Sequence, residues 1–433
     1  MKRAAAILVL LAASGVLVFA SGTKEGAGAK VGGSVSVLAV WGGGELDIFN
    51  SMVKPFSDAT GIKVEFEGTR DLDAVLTTRV AAGNPPDIGA LPGPGKMAEF
   101  ARQGKMIDLS GVLDMAAMKK NYAQGWMDLG SVDGKLVGVF AKASLKGLVW
   151  YDPKNLAAAG VSVPPKTFND LMSSSQAIAA KGTTPWSVGV ESGAASGWAG
   201  TDWLEVIFLR MYGPDKYRQW YEGKLAWTSP EVKAAWQTWG RIVADPKMTY
   251  GGTQYELSTN FGSAFTPLFQ NPPQAYYFLQ ATFIQSFIQK QFPDLKPVDD
   301  FNFFSFPPID PKYGKGVEIA GDLVGMFKNT PQAATFIKYI TTSDAQDFWV
   351  KAADGISPNR AVPIADYPDA LSKNAAQILT SADIAVFDAS DNMPSKMNAA
   401  FWSAILSYLA NPDQLDSILA GLDKVRADAY SGS

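Results

Sequence analysis

Apolar and polar positions alternate along this chain with two periods, and the changes between them mark out its elements. The run SVSVLAVW over 34–41 reads as a strand that breaks at Gly42, Gly43 and Gly44, and the amphipathic stretch 45–60 reads as a helix. The same order repeats with a strand over 62–67, a helix over 72–82 carrying Val75, Leu76 and Val80 at helical spacing, a strand over 87–91 and a helix over 96–102. Such alternation predicts an α/β fold in which a parallel sheet is covered by helices. Ligands of these sheets sit beyond the carboxyl ends of the strands, so the loops after Val40, Phe66 and Ala90 are candidate binding loops.

A second α/β block opens over 145–151 and continues with helices over 167–180, 201–211 and 230–244. Thr167 follows the stiff pair Pro164 and Pro165 and suits an N-cap. Strands are expected over 299–308 and 317–327, the second leading into a helix over 331–341, and the C-terminal third then reads as helical to Tyr430.

The first residues change the picture of where the protein works. Met1, Lys2 and Arg3 are a short basic start, and Ala4 to Val18 is an almost unbroken apolar run ending in small residues, which is the pattern of an export signal over 1–20 cleaved after Ala20. An uncleaved membrane anchor is the alternative reading of that run. The string SGTKEGAGAKVGG over 21–33 has too little apolar surface to bury and reads as a flexible leader. With no cysteine, the chain cannot be lipid-anchored through one, nor use disulfides or thiolate chemistry, so a periplasmic protein free in solution is expected. The absence of histidine removes the commonest general base and metal ligand, excluding a Ser-His-Asp hydrolase or a His-ligated zinc enzyme, and no cofactor is expected. The net charge is −4, becoming −6 once Lys2 and Arg3 leave with the signal, which argues against nucleic acid. The roughly 410 residues left after processing exceed a single core and imply two lobes. Twelve Trp, 14 Tyr and 24 Phe are more aromatic residues than such cores need, so some should line a ligand site.

Several strings carry a resemblance. FSDATGIKV over 56–64, RVAAGNPPDI over 79–88, WYDPKNL over 150–156, PKTFNDL over 165–171 and GISP over 355–358 make the mature chain similar to the extracellular substrate-binding proteins of ABC importers, in the carbohydrate-binding group that includes maltodextrin binders. Within that group WGGGE over 41–45, GTRD over 68–71, GTDWLE over 200–205 and FDASDNMP over 387–394 most resemble the α-glucoside binders. The resemblance departs at 270–278, where QNPPQAYYF replaces a glycine-tryptophan pair common in the family. It implies a periplasmic-binding-protein-like fold of type II, two α/β lobes around a cleft joined by hinge crossings near Lys142, Glu318 and Gly355. Lobe one would be 34–142 plus 317–355, and lobe two 143–316 plus 356–433. A monomer that hands a di- or oligosaccharide, with an α-glucoside favoured, to a membrane permease is what the resemblance implies.

A neutral sugar presents hydroxyls at its edge and a C–H face, so its site wants carboxylates and Arg forks for the first and flat rings for the second. Trp41 and Glu45 flank the triple glycine, where Gly43 lets a ligand approach the backbone; they read equally as a core ring and a solvated helix-start acid. Arg70 and Asp71 follow the second strand and suit either the cleft or a surface pair and cap. Pro92 stands in a rigid turn that would shape the cleft floor. Asp202, Trp203 and Glu205 form the strongest constellation, although Trp203 and Glu205 cannot share a helix face and one of the three should be structural. Tyr276 and Tyr277 read as a stacking ring plus a core ring, or as adjacent ferric-ion ligands. Asp388 and Asp391 either reach the cleft or close a turn. Trp220, Trp227, Trp236 and Trp239 are assigned to the core. The competing functions are a carboxylate-based glycoside hydrolase, or the same fold holding a polyamine, peptide or ferric ion.

Overall fold

The computed structural model describes residues 30–382 and 384–431. The expected signal, and the expected leader up to residue 29, lie outside the described residues. In chain order the strands are β1 (Ser34–Ala39), β2 (Lys63–Gly68), β3 (Ile88–Leu91), β4 (Ser131–Val132), β5 (Lys135–Leu136), β6 (Val139–Leu145), β7 (Leu148–Tyr151), β8 (Trp186–Ser187), β9 (Tyr277–Gln280), β10 (Asn302–Ser305), β11 (Gly316–Met326) and β12 (Ile384–Phe387).

Two principal sheets organise them. The first runs β12-β11-β3-β1-β2 with β6 also on β11, and the second runs β10-β7-β9-β8. The βα repeats produce parallel β2, β1 and β3, as their alternation predicts. β11 departs from that pattern by entering antiparallel to both β3 and β6, so the first sheet is mixed. Helices cover both sheets, giving the two-lobed α/β architecture expected. The sequence helices fall close to their expected places, and Thr167 caps Phe168–Ala180 through a reciprocal box with Asp170.

The crossings differ from expectation. The chain leaves the first sheet after Leu145, at Lys146, rather than near Lys142. It passes from β10 to β11, which begins at Gly316. The third crossing does not occur at Gly355. Ile356 exchanges backbone hydrogen bonds with Ala143 of β6 (2.8 Å each way), and the helix Ala370–Thr380 buries Leu371, Ala375 and Ala376 beside Phe140 and Phe387. β12 then pairs in parallel with the first half of β11. Residues 356–387, assigned above to the second lobe, therefore belong to the first sheet, because the outer edge of β11 needs a hydrogen-bonding partner there. After Phe387 the helices Ser395–Ala410 and Leu415–Ala429 pack Met397, Phe401, Leu419 and Leu422 into the second lobe's core, with Trp220, Trp227, Trp236 and Trp239.

Candidate functional site

The cleft floor is made by two antiparallel strands. Side chains alternate across a strand, so Lys142, Ser144 and then Lys146 leave one face of β6 and its extension, opposite Asp322, Ala320 and Glu318 of β11. Asp322 pairs with Lys142 and Ala320 with Ser144, and Lys146 N–H donates to the Glu318 carbonyl at 2.8 Å. Ionisable side chains within strands whose residues are otherwise buried are costly unless paired, and the two lysines and Asp322 are paired here. Lys142 Nζ donates to Glu45 Oε1 at 2.7 Å and Asp354 Oδ2 at 2.8 Å, stands 3.6 Å from Asp322, and lies 4.5 Å over the Trp349 ring. Burial opposes its charge, but Asp354, Glu45 and Asp322 outweigh it and hold the ammonium above its ordinary range. Lys146 Nζ donates to Asp202 Oδ1 at 2.8 Å and to Asp388, and lies 5.4 Å over the Trp198 ring.

Glycine geometry brings Glu45 into this floor. Gly43 has φ 56° and ψ −124°, a conformation that favours glycine, and it starts the Gly44–Thr60 helix without a side-chain cap. The turn delivers Glu45, buried, into the first helical turn. Arg70 follows β2, with Nη2 3.9 Å from Glu45 and its guanidinium 5.1 Å over Phe261 of the second lobe. Asp71 occupies the cap position of Leu72–Ala81 yet caps nothing, so its carboxylate is left for the cleft. These residues, with Pro92, Asp73, Ser144, Thr201 and Ser390, enclose a cavity of about 170 Å³ between the lobes.

The Trp198–Tyr221 helix supplies the facing wall. Trp198, Thr201, Asp202 and Glu205 recur at helical spacing and form one stripe. Trp198 is half-buried and lines the cavity with Phe261, Phe283 and Trp402. Burial pushes the Asp202 carboxyl up to about 7 against the pull of Lys146. Asp388 is buried too, but Lys146 and hydrogen bonds from Asp391 N–H and Ser390 Oγ hold it below its ordinary value.

Of the residues singled out from sequence, the cavity gathers Glu45, Arg70, Asp71, Pro92, Asp202, Asp388 and Asp391. The others lie elsewhere. Trp41 is buried among Phe49, Phe66 and Trp349, and its indole N–H donates to Asp322 at 3.1 Å, so it holds a floor acid from behind. Gly43 shapes the turn without lining the cavity. Trp203 points away from the stripe into the core, 5.0 Å from Trp186 and 6.4 Å from Phe306. Glu205 is buried and accepts from Ala389 N–H (2.7 Å), Ser390 N–H (3.2 Å) and Tyr217 hydroxyl (3.1 Å), which fixes the segment bearing Asp388. Tyr277 is buried against Trp186 with its hydroxyl on Ser174, and Tyr276 packs on the same core, so the pair does not form a ligand set in the cavity.

Lys142 enters the sequence reading only as a crossing, and Lys146, Asp322, Trp198 and Trp402 do not enter it. The signal for the first two was polar residues at alternate positions in an otherwise apolar strand, and for Trp198 it was one helical turn back from Asp202. A larger recess of about 980 Å³, lined by Trp126, Arg218, Tyr367 and Phe387 among others, lacks the convergent acids of the cleft.

Residues 42–347 match the family described as bacterial extracellular solute-binding protein. The osmoprotective compounds-binding protein GgtB of Synechocystis sp. is 38% identical over 380 residues, covering 88% of this chain and 89% of that one. The alpha-glucosides-binding periplasmic protein AglE of Rhizobium meliloti is 33% identical over 404 residues, covering 91% and 87%. A solved chitin oligosaccharide binding protein superposes with a TM-score of 0.80 at 21% identity over 92% of this chain and 99% of its own, which shows the shared fold. No helix among the described residues is long and apolar enough to cross a membrane. The chain belongs to the bacterial extracellular solute-binding proteins, a family of binders and not of enzymes, and the hydrolase alternative falls with that.

Proposed function

From that membership, we propose that this solute-binding protein is the monomeric substrate-capturing component of an ABC sugar importer, and that its ligand is a compact α-glucoside or other osmoprotective sugar. One observation carries the reading: buried and half-buried carboxylates (Glu45, Asp202, Asp388, Asp391) and the half-exposed rings of Trp198 and Trp402 converge on a single interlobe cavity of about 170 Å³. Acids accept sugar hydroxyls and indoles take the C–H face. A cavity this small, with Arg70 of one lobe already over Phe261 of the other, suits a short sugar held between lobes drawn together. The names of the two relatives described above point the same way. Ligand would shift the lobes towards closure, and the closed form would be what the permease meets.

Thermal unfolding of the mature protein with trehalose, sucrose, maltose, maltotriose, spermidine or ferric citrate tests this. A ligand at about a hundred times its Kd stabilises by about 2.7 kcal/mol, so one of the disaccharides should raise the melting temperature clearly. A rise with spermidine or iron and with none of the sugars would defeat the sugar reading.

A further inference from the structure

The three passages between the sheets meet at one buried point. Lys146 links β6 to β7, Glu318 lies near the start of β11, and Asp388 follows β12. The Trp198–Tyr221 helix adds Asp202 and Glu205 to this point from the side. Carboxylate oxygens of Asp202, Glu318 and Asp388 lie within 4.8 Å of one another. Their partners are unequal. Lys146 bonds Asp202 and Asp388, and Glu205 has its two backbone N–H groups and the Tyr217 hydroxyl. Glu318 is 1% exposed, and neither of its oxygens has a hydrogen-bond partner among the described residues.

Arg210 faces Glu318 but directs Nη1 to the carbonyls of Tyr313 and Gly314, at 3.0 and 2.6 Å. Asp391 is a further acid near Lys146, and burial and then Asp388 hold its own carboxyl well above the ordinary range, with Lys146 opposing. An ionised, unpartnered carboxylate here would be strongly unfavourable, and a proton on it removes the difficulty. A metal ion is the other way to balance such acids, but the ammonium of Lys146 already stands on both Asp202 and Asp388.

We propose that Glu318 is a protonated member of this hinge cluster at neutral pH, and that losing its proton weakens the sugar site by drawing Lys146 away from Asp202 and Asp388. The effect on the ligand rests on the sugar reading above, because Lys146, Asp202 and Asp388 line the cavity whereas Glu318 does not. Burial, and then Glu205 and Asp202, hold the Glu318 carboxyl well above its ordinary range, with Lys146 opposing. The sign follows from linkage. The folded protein keeps a proton that the unfolded chain has already released above about pH 4.3, so the stability it confers is full below that value and is lost as pH rises towards the folded-state value.

The test is E318Q, which keeps the shape of a neutral carboxyl. Sugar affinity and melting temperature are measured from about pH 5.5 to about pH 9. Wild-type affinity should fall with rising pH, by at most about tenfold per unit, while E318Q should match wild type at the acid end and lose clearly less at the alkaline end, the slope that remains being that of Asp202. A flat wild-type profile, or the same slope in E318Q, overturns the proposal. Calcium that stabilises wild type but not E318Q also overturns it, in favour of a metal site. If E318Q does not fold, infrared spectra of the wild type at neutral pH decide by the presence or absence of a buried protonated-carboxyl band. If no sugar binds at all, the sugar reading fails, and the pH dependence of melting still tests the proton.

Discussion

Lys142 and Lys146 leave the same face of one strand and its extension, and both are buried under an aromatic ring among acids, yet the two surroundings differ in their supply of donors. Around Lys142 each acid has a second partner: Asp322 accepts from the Trp41 indole, Asp354 from Ser286 Oγ at 2.6 Å, and Glu45 lies near Arg70. Around Lys146 the second partners run out, since Oδ2 of Asp202 and both oxygens of Glu318 are without hydrogen bonds among the described residues. Charge type is the same in both places. What differs is whether the neighbouring elements bring N–H and O–H groups, so one network is a settled structural joint and the other is left responsive to protons and ligand.

Removing each ammonium sharpens this contrast most. Lys146→Met strands Asp202 and Asp388 in the interior and should cost about 3–5 kcal/mol of stability in chemical denaturation. Lys142→Met should fall at the low end of that range, about 3 kcal/mol, because Trp41, Ser286 and Arg70 continue to serve its acids. Equal losses would erase the distinction. Acidification should recover more in Lys146→Met than in Lys142→Met, since protons substitute for the donors that region lacks.

The same contrast explains what the sequence could disclose. The βα repeats from residue 34 to 102 were legible because their hydrophobic periods agree with their glycine and proline punctuation, and the family strings carried the two-lobe architecture. Acids next to turns, such as Glu45, Asp71, Asp202 and Asp388, were legible because local geometry alone sends them to strand ends or a helix start. For Trp41 and Trp203 the sequence leaves platform and core open, because an indole in a motif suits either, whereas burial against Trp349 or Trp186 depends on residues distant in the chain. The lysines of β6 and its extension were hidden for a related reason: their value lies in partners at positions 45, 202, 354 and 388, which no local pattern joins to them. The short strand β12 escaped because its role is to satisfy the edge of β11, a demand made by the sheet and not by its own residues.

The rings above the two lysines offer the next separation. Trp349 is 1% exposed over Lys142, so Trp349→Ala is a core truncation that should cost about 3–5 kcal/mol of stability. Trp198 over Lys146 is half-buried and faces the cavity. Trp198→Ala should take about 1–3 kcal/mol from sugar affinity, by analogy with the stacking of bases on aromatic rings, while costing less stability than Trp349→Ala. Calorimetric titration beside denaturant melts reads both quantities, and an unchanged affinity would return Trp198 to the role of wall.

The smallest effect is expected at an acid that neither lysine holds. Asp71 is exposed at the cleft, begins the Leu72–Ala81 helix and accepts no hydrogen bond from it, although its backbone N–H is bound by Thr69 Oγ1 at 3.0 Å. A carboxylate at a helix start that does not cap adds nothing to the helix, so Asp71→Asn should leave stability within about 0.5 kcal/mol. If the carboxylate instead serves a sugar hydroxyl, the amide replaces a charged acceptor by a neutral one, and affinity should fall by about 1 kcal/mol, a several-fold rise in Kd. The two measurements pull apart the roles: a stability loss with unchanged Kd would make Asp71 a cap that forms in solution, and a higher Kd at constant stability would extend the ligand's contacts into the first lobe, beyond both lysine networks.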